Sequence, residues 1–314
     1  MPRQKPPPPS SRRPTALGAG EGDVPSLNEL ERFTQSSLHQ WLAAGQHLHQ
    51  LHSALFFGLE QDRQRQAQLL IEALQSRLIA GYPIQGWSRI VDYRYTLRPL
   101  SVAGSIKGDG GRFNIGAGLN VSSFSSFPAL YVAQDYLTAF KEKFGSDVEA
   151  TPDELTPLEL ALRRSRSFTH VALRGQIELV LDVGAPETLE PFVKLLRSFV
   201  LPSSVSTLAR QLGLRRPIGL IRSVKGLQKQ LLHPHWRMMP AQFDLPSNSQ
   251  IFGRMAAAAG VHGILYPSSK NDEKQCLALF PQNWKGSSSF VEVTGPAPEG
   301  ATMTRIDGTA GELR

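Results

Sequence analysis

A short motif that reads GGRFN runs from Gly110 to Asn114 and carries the residue best suited to binding an anion. Because glycine has no side chain, the pair Gly110 and Gly111 lets the backbone approach a bound group closely. The guanidinium of Arg112 can bind a phosphate through two parallel hydrogen bonds. The motif therefore makes Arg112 the candidate for holding an anionic ligand.

Three further side chains could join Arg112 in one pocket, although they lie far apart in the sequence. Tyr131 is part of an apolar, strand-like run, and Glu142 follows it on a short helical segment. Ser268 lies far downstream, directly after the run GILYP. We expect the aromatic ring, the carboxylate and the hydroxyl to complete a pocket around Arg112.

Four segments resemble, in order, the motifs of the RES domain, a family named for its Arg, Glu and Ser. They are GGRFN at 110–114, LYVAQDYLTAFKE at 130–142, GILYPSS at 263–269 and CLALF at 276–280. The segment QIELVLDV at 176–183 also resembles a strand of that family. The resemblance covers about Trp87 to Trp284. It implies a fold like that of ADP-ribosyltransferases and an activity that degrades NAD+.

The resemblance implies that the arginines bind the phosphates of NAD+. Arg112 would be both a catalytic and a substrate-binding residue. The family also has an arginine in its first strand, and Arg89 and Arg94 both compete for that place. NAD+ is then the substrate, and no metal is expected.

The resemblance also gives roles to the other three residues. Tyr131 would stack on the nicotinamide ring. Glu142 would hydrogen-bond the ribose and stabilise the developing cation, or activate the attacking nucleophile. Ser268 would hold the ribose or the amide, so that Arg112, Glu142 and Ser268 form the catalytic set.

Each of these residues, taken alone, also has a structural explanation. Arg112 could pair with a carboxylate, Tyr131 could belong to the core, and Glu142 could lie on an exposed helix face between two lysines. Ser268 follows a proline, as turn residues commonly do. Only the order and spacing of the whole set favour a site over these alternatives.

The sequence departs from the family pattern in three places. Phe113 stands where Trp is usual, and Ser269 stands where Ala is typical. Sixteen residues separate Asn114 from Tyr131, a longer connection than usual, which could form a lid. A helical segment before the RES-like region is also unusual for the small toxins of this family, which pair with a helix-turn-helix antitoxin.

Composition is consistent with a folded protein that binds anions. The 314 residues carry a net charge of +7, and the sequence pI is about 9.7. This balance favours anionic partners without singling out nucleic acid, which we do not expect to bind. Cys276 is the only cysteine, so no intrachain disulfide can form. No apolar run is long enough for a membrane span, and no secretory signal is recognised, so we expect a cytoplasmic protein.

The pattern of residues predicts an α+β fold, with a mixed β core, surrounding helices and a helical N-terminal appendage. The resemblance to the RES family implies that this core is ADP-ribosyltransferase-like. We expect a disordered basic, proline-rich tail at 1–24, the appendage at 25–84, the catalytic domain at 85–290 and a C-terminal tail at 291–314. Within the appendage, Gly45 is expected to break or bend the helix, and the segment Gly81 to Pro83 to end it. Its four histidines lack further ligands at suitable spacing, so they are not expected to bind a metal.

In the RES-like region the pattern predicts a series of shorter elements. Strands are expected at 87–91, 93–95, 169–173, 177–183, 264–266 and 277–280, with an edge strand at 290–293. Helices are expected at 136–144, 186–199, 205–212 and 247–260.

The leading functional hypothesis is an NAD+-degrading enzyme, a glycohydrolase or a phosphorylase, that acts as a growth-arresting toxin. The sequence does not separate water from phosphate as the attacking group. One alternative is transfer of ADP-ribose to a protein or nucleic acid. Another is a non-catalytic protein that binds through its basic surface.

Overall fold

The computed structural model of the chain describes residues 35–119, 123–145, 167–214, 220–295, 297 and 299–309. The predicted tail at 1–24 and the first ten residues of the predicted appendage lie outside these ranges. Within them, no helix is both long and apolar enough to cross a bilayer.

The chain divides into two compact units. The first comprises Met1–Leu55 and Pro202–Ile218, and the second comprises Phe56–Leu201 and Gly219–Arg314. The described part of the first unit contains most of helix α1 (Gln35–Arg65) and helix α5 (Ser203–Gln211). The second unit contains every described strand and the four RES-like motifs of the sequence.

The sheet of the second unit is built from strands that are mostly antiparallel. In chain order the strands are β1 (Ile79–Asp92), β2 (Gly110–Gly111), β3 (Asn114–Ile115), β4 (Leu130–Ala133), β5 (Phe168–Asp182), β6 (Gly263–Pro267), β7 (Gln275–Leu279), β8 (Phe290–Thr294) and β9 (Arg305–Asp307). The main sheet has the order β1-β4-β7-β6-β5-β8-β9, and β1 also pairs with β5. That extra pairing joins five strands into a closed ring, while β2 and β3 form a separate small hairpin.

Helices cover this sheet and share its core. They are α2 (Ala67–Gln75), α3 (Tyr136–Phe144), α4 (Pro186–Leu196), α6 (Val224–Leu231), α7 (Met238–Phe243) and α8 (Asn248–Ala258). In α2, Leu70, Ala73 and Leu74 recur at helical spacing and are buried. They belong to the cluster that also contains Phe252 of α8 and Ile264 of β6. Burial of this apolar surface is what fixes the helices against the sheet.

The predicted α+β fold class, with a mixed sheet and helices around it, is confirmed. Helix α3 matches its predicted range, and α4, α5 and α8 lie within a few residues of theirs. The two strands predicted at 169–173 and 177–183 form one strand, β5.

Several details of the prediction were wrong. Helix α1 passes through Gly45 without a break, and β1 already begins at Ile79, so the segment Gly81 to Pro83 lies in a strand. Residues Tyr93–Tyr95 form a short 3₁₀ helix instead of a strand. The stretch 291–314, expected to be a tail, contributes most of β8 and all of β9; β8 pairs with β5 on one side and β9 on the other.

Candidate active site

A cavity of about 360 Å³ in the second unit brings together most of the residues that the sequence singled out. Its walls include Arg89 of β1, Tyr131 of β4 and Glu142 of α3, together with Arg112 from the β2–β3 hairpin. Ser268 is not part of the lining, but its hydroxyl is hydrogen-bonded to Glu142.

The guanidinium of Arg112 is held in a fixed orientation. Only 7% of the residue is exposed. Its Nη1 donates to the carbonyl oxygens of Leu231 (3.2 Å) and His233 (3.0 Å), and its Nη2 donates to Oγ of Ser269 (3.1 Å). A guanidinium has five N–H donors, so these three bonds leave two for a ligand in the cavity. The salt bridge considered from the sequence is absent among the described residues.

The hairpin that carries Arg112 is tied together by Asn114. Its Oδ1 accepts from the backbone N–H of Gly111 at 3.0 Å, and its Nδ2 donates to the carbonyls of Ser105 (2.8 Å) and Phe127 (3.0 Å). Gly110 has φ of +90°, and an added Cβ would overlap the carbonyl oxygen of Asn114. The motif therefore needs glycine first and asparagine last to form this tight turn.

The hydroxyl of Tyr131 supports the same hairpin. It accepts from the backbone N–H of Phe113 and donates to Oδ1 of Asn114, both at 2.9 Å. Burial raises the pKa of Tyr131 well above its ordinary value, so that the hydroxyl keeps its proton. The ring lines the cavity while the hydroxyl is committed to the loop.

Glu142 and Ser268 form the second part of the site. Oγ of Ser268 donates to Oε1 of Glu142 at 2.6 Å and accepts from the backbone N–H groups of Lys270 and Asn271, both at 3.1 Å. Helix α3 presents Glu142 because Asp135 caps its first turn, where the side chain accepts from the N–H of Thr138 at 2.8 Å. Two loop amides thus orient the hydroxyl that holds the carboxylate.

The two arginines that are candidates for the family's first-strand arginine lie in different environments. Arg89 donates to three backbone carbonyls, those of Pro99, Tyr131 and Ser101, each at 2.9 Å. Burial lowers the pKa of Arg89 to about 10, which leaves it charged at neutral pH. Arg94 also lines the cavity, but its side chain is 63% exposed and lies 3.5 Å from Asp92. Arg89 therefore supports the cavity wall, whereas Arg94 is the more exposed cation of the lining.

The floor of the cavity is apolar and holds two groups that resist ionisation. Burial raises the pKa of the Cys276 thiol, and the nearby charge of Glu142 raises it further. Burial likewise raises the pKa of Tyr266, with Cys276 and Glu142 adding to the effect. Cys276 is therefore a protonated thiol.

Sequence reasoning missed the basic residues of the cavity wall. Lys107, Arg237 and Lys270 line it, and among the described residues none of the three forms an ion pair with a carboxylate. The guanidinium of Arg237 lies 4.5 Å from the ring centre of Trp236, which is also part of the wall. Nothing in the local sequence distinguishes these residues from surface lysines and arginines, because only the tertiary fold brings them to the cavity.

Over the part of the chain that the structure describes, no three His, Cys, Asp or Glu side chains are grouped as metal ligands. The arrangement instead places two fixed cations, two carboxylates and several further cations around one cavity. Such a cavity can bind an anionic ligand and stabilise positive charge that develops next to the carboxylate.

The sequence profile of the RES domain matches residues 87–299. The chain belongs to the RES domain family. This confirms the resemblance drawn from the four motifs and extends it beyond Trp284. The cavity, with Arg112, Glu142 and Ser268 around it, lies within the matched residues of this RES domain.

A search of curated proteins found no match. Among solved structures, the chain is similar to a chain in the crystal structure of the M. tuberculosis MbcT–MbcA toxin–antitoxin complex. The two are 13% identical, with a TM-score of 0.40, over 76% of this chain and 91% of the other. The family assignment rests on the RES domain match.

Proposed function

We propose that this protein cleaves the bond between nicotinamide and ribose in NAD+. The observation that carries the proposal is that Arg112 and Glu142, which Ser268 hydrogen-bonds, line one cavity although the three residues lie far apart in the sequence. Membership of the RES domain family supports the same activity.

In the proposed reaction the C1′–N bond of the nicotinamide ribose breaks first. Nicotinamide leaves as a neutral molecule with the bonding electrons, and the ribose becomes an oxocarbenium-like cation. Glu142 stabilises that cation, and Ser268 keeps the carboxylate in position. An oxygen of water or of inorganic phosphate then attacks C1′; water loses a proton in this step, and the product is ADP-ribose or its 1-phosphate.

Arg112 binds the pyrophosphate of NAD+ through its two remaining N–H donors. Because its other donors are bound to protein carbonyls and to Ser269, the guanidinium is already oriented before the substrate arrives. Preorganised donors of this kind cost no rearrangement at the moment of reaction. The basic residues Lys107, Arg237 and Lys270 add a field that attracts the anionic substrate.

The biological role that fits this chemistry is a toxin that arrests growth by depleting NAD+ in the cytoplasm. A helix-turn-helix antitoxin is the partner that the family resemblance implies. We also propose that the catalytic domain, predicted at 85–290, comprises the second unit, Phe56–Leu201 and Gly219–Arg314, because β1 begins at Ile79 and β9 lies beyond residue 290.

The test is to express the protein in a bacterial host and measure total NAD+. Wild type should deplete NAD+ rapidly, whereas Arg112→Ala and Glu142→Ala should not. Arg77→Ala removes an exposed arginine outside the cavity and should behave as wild type. Intact NAD+ with labelled ADP-ribose on a macromolecule would instead support a transferase, and intact NAD+ without label would support a non-catalytic binding protein.

A further inference from the structure

Gln250, in the first turn of α8, contacts the Arg112 hairpin from a distant part of the sequence. The residue is fully buried. Its Nε2 lies within hydrogen-bonding distance of the carbonyl oxygens of Asp109 (2.7 Å), Gly111 (3.2 Å) and Asn114 (3.1 Å). These carbonyls lie on both sides of Arg112, so a single amide holds the backbone before and after it.

The other end of the same amide is fixed to the helix. Oε1 of Gln250 accepts from the backbone N–H of Ser247 at 3.0 Å, and the Ser247 hydroxyl accepts from the N–H of Gln250 at 3.3 Å. This is a capping box, in which both partners satisfy free N–H groups of the helix end. The amide therefore cannot turn without losing bonds at both of its ends.

The next turn of α8 also packs closely against the hairpin. Gly253 lies against the backbone of Phe113, and an added Cβ would overlap the carbonyl oxygen of that residue. The ring of Phe113 packs edge-on against Tyr266 at 5.0 Å between ring centres. The hairpin thus rests on the helix at two successive turns.

We infer that α8, through Gln250, is the positioning element for Arg112. Three acceptors fix the guanidinium itself, while Gln250 fixes the backbone from which the side chain extends. Both are required, because displacing the backbone moves the two free N–H donors relative to the cavity. Gln250 does not line the cavity, so its influence on the ligand passes through Arg112. The inference rests on the proposed binding of the pyrophosphate by Arg112.

Gln250→Glu separates the two functions of this side chain. Glutamate keeps the oxygen that caps α8, since it is also a capping-box residue, but it lacks the amide donor for the three carbonyls. Gln228→Glu is the matched control. Nε2 of Gln228 also donates to backbone carbonyls, those of Val183 (3.1 Å) and Gly184 (2.9 Å), but it contacts neither the hairpin nor the cavity.

The measurement is the Kd of purified protein for ADP-ribose, which contains the pyrophosphate but cannot be cleaved at the nicotinamide bond. Gln250→Glu should raise the Kd roughly tenfold, because misplacing a positioning group by about 1 Å can cost up to about 100-fold. Gln228→Glu should leave it unchanged. With NAD+ as substrate, Gln250→Glu should raise KM more than it lowers kcat.

A double-variant cycle shows whether Gln250 acts through Arg112. Arg112→Ala should weaken ADP-ribose binding, and adding Gln250→Glu to it should change the Kd by less than about twofold, since neighbouring residues that act as a unit are not additive. If the two fold-changes multiply, or if Gln250→Glu alone leaves the Kd unchanged, the inference is wrong. Should Gln250→Glu fail to fold, Gln250→Asn, whose amide is too short to reach the carbonyls, replaces it in the same cycle. A wild-type protein that binds ADP-ribose but leaves NAD+ intact would contradict the proposed function and not this inference.

Discussion

Two neighbouring serines hold the two oppositely charged residues of the cavity. Ser268 donates to Glu142, and Ser269 accepts from Arg112. Because two consecutive residues of the loop after β6 hydrogen-bond the two charged groups, this loop fixes the positions of the carboxylate and the guanidinium relative to each other. The second of these bonds depends on the hydroxyl of Ser269.

Tyr131→Phe distinguishes a stacking ring from a hydroxyl that supports the hairpin. Phenylalanine keeps the ring but leaves the buried N–H of Phe113 without its partner. We expect the free energy of unfolding to fall by about 1–3 kcal/mol. Urea denaturation measures it.

Tyr136→Phe is the control for this change, because Tyr136 is 40% exposed and its hydroxyl forms no hydrogen bond among the described residues. Its effect should stay within about 0.5 kcal/mol. Equal stabilities for Tyr131→Phe and wild type would contradict the supporting role of the hydroxyl.

The buried side chain of His262 should make the free energy of unfolding depend on pH. The side chain is buried before β6 and hydrogen-bonds Oγ of Ser289 at 2.8 Å. Burial lowers its pKa below the ordinary 6.5, while the charge of Glu178 partly opposes this. As pH falls, His262 is therefore protonated at a higher pH in the unfolded chain than in the folded protein. The stability that neutral His262 contributes is present above about pH 6.5 and is lost as pH falls through the folded-state pKa.

Urea denaturation at about pH 7.5 and about pH 5.5, on either side of the ordinary pKa of histidine, measures this loss. His262→Asn, which cannot be protonated, should lose less stability over that interval than wild type. An identical loss in both proteins would show that His262 does not contribute.

At the scale of elements, the helices and strands that could be predicted are those whose local sequence has a clear pattern of apolar residues. Helix α3 and the strands β4, β6 and β7 were predictable because each has a continuous apolar run or a clear helical spacing. The continuous helix through Gly45 was missed because a single glycine costs only about 1 kcal/mol in a helix interior. Strand β1 was missed before Trp87 because its pairing with β5, over twelve residue pairs, is a tertiary property.

The residues of the site likewise divide into those that a local motif marks and those that only the tertiary fold reveals. Arg112, Tyr131 and Glu142 were found because the family motifs mark them, and the structure lines one cavity with them. Gln250, Lys107 and Arg237 were not found because their significance depends on contacts with residues far away in the sequence. The bonds made by Arg89 and Tyr131 could not be predicted either, since they depend on how the fold places the carbonyls of Pro99 and Ser101 and the loop around Asn114.

Two glycines in helices should respond to alanine in opposite ways. At Gly253 of α8 the methyl group meets the carbonyl oxygen of Phe113, so Gly253→Ala should destabilise the protein by about 1–3 kcal/mol. At Gly45 of α1 a Cβ meets nothing within 4 Å, so Gly45→Ala should be neutral or stabilise by up to about 1 kcal/mol. Thermal unfolding of both variants measures this difference. Similar effects of the two substitutions would contradict the packing of the hairpin on α8.

At the scale of the whole molecule, the cavity lining carries an excess of positive charge. The lining contains two carboxylates, Asp92 and Glu142, and seven basic residues: Arg89, Arg94, Lys107, Arg112, Lys143, Arg237 and Lys270. Like charges collected in a concave surface focus the field and raise the local concentration of an anionic ligand. The cavity is therefore a place in the molecule where an anionic ligand is attracted.

The KM for NAD+ should consequently rise with salt. Between ionic strengths of about 0.01 M and about 0.15 M the Debye length falls from about 30 Å to about 8 Å, which screens the outer cations of the cavity. Lys107→Gln should raise KM at low salt and reduce its salt dependence, whereas the exposed Lys285→Gln should do neither. A KM that is independent of salt would contradict electrostatic attraction of the substrate.

The central claim is that Glu142 in this cavity promotes cleavage of the nicotinamide bond. The most direct test incubates purified protein with NAD+, with and without phosphate, and resolves the products. Wild type should release nicotinamide, and Glu142→Gln, which keeps the shape but removes the charge, should be at least about 100-fold slower. Glu190→Gln, a change at an exposed position of α4, should match wild type. Equal rates of nicotinamide release from wild type and Glu142→Gln, or no release from wild type, would contradict the account.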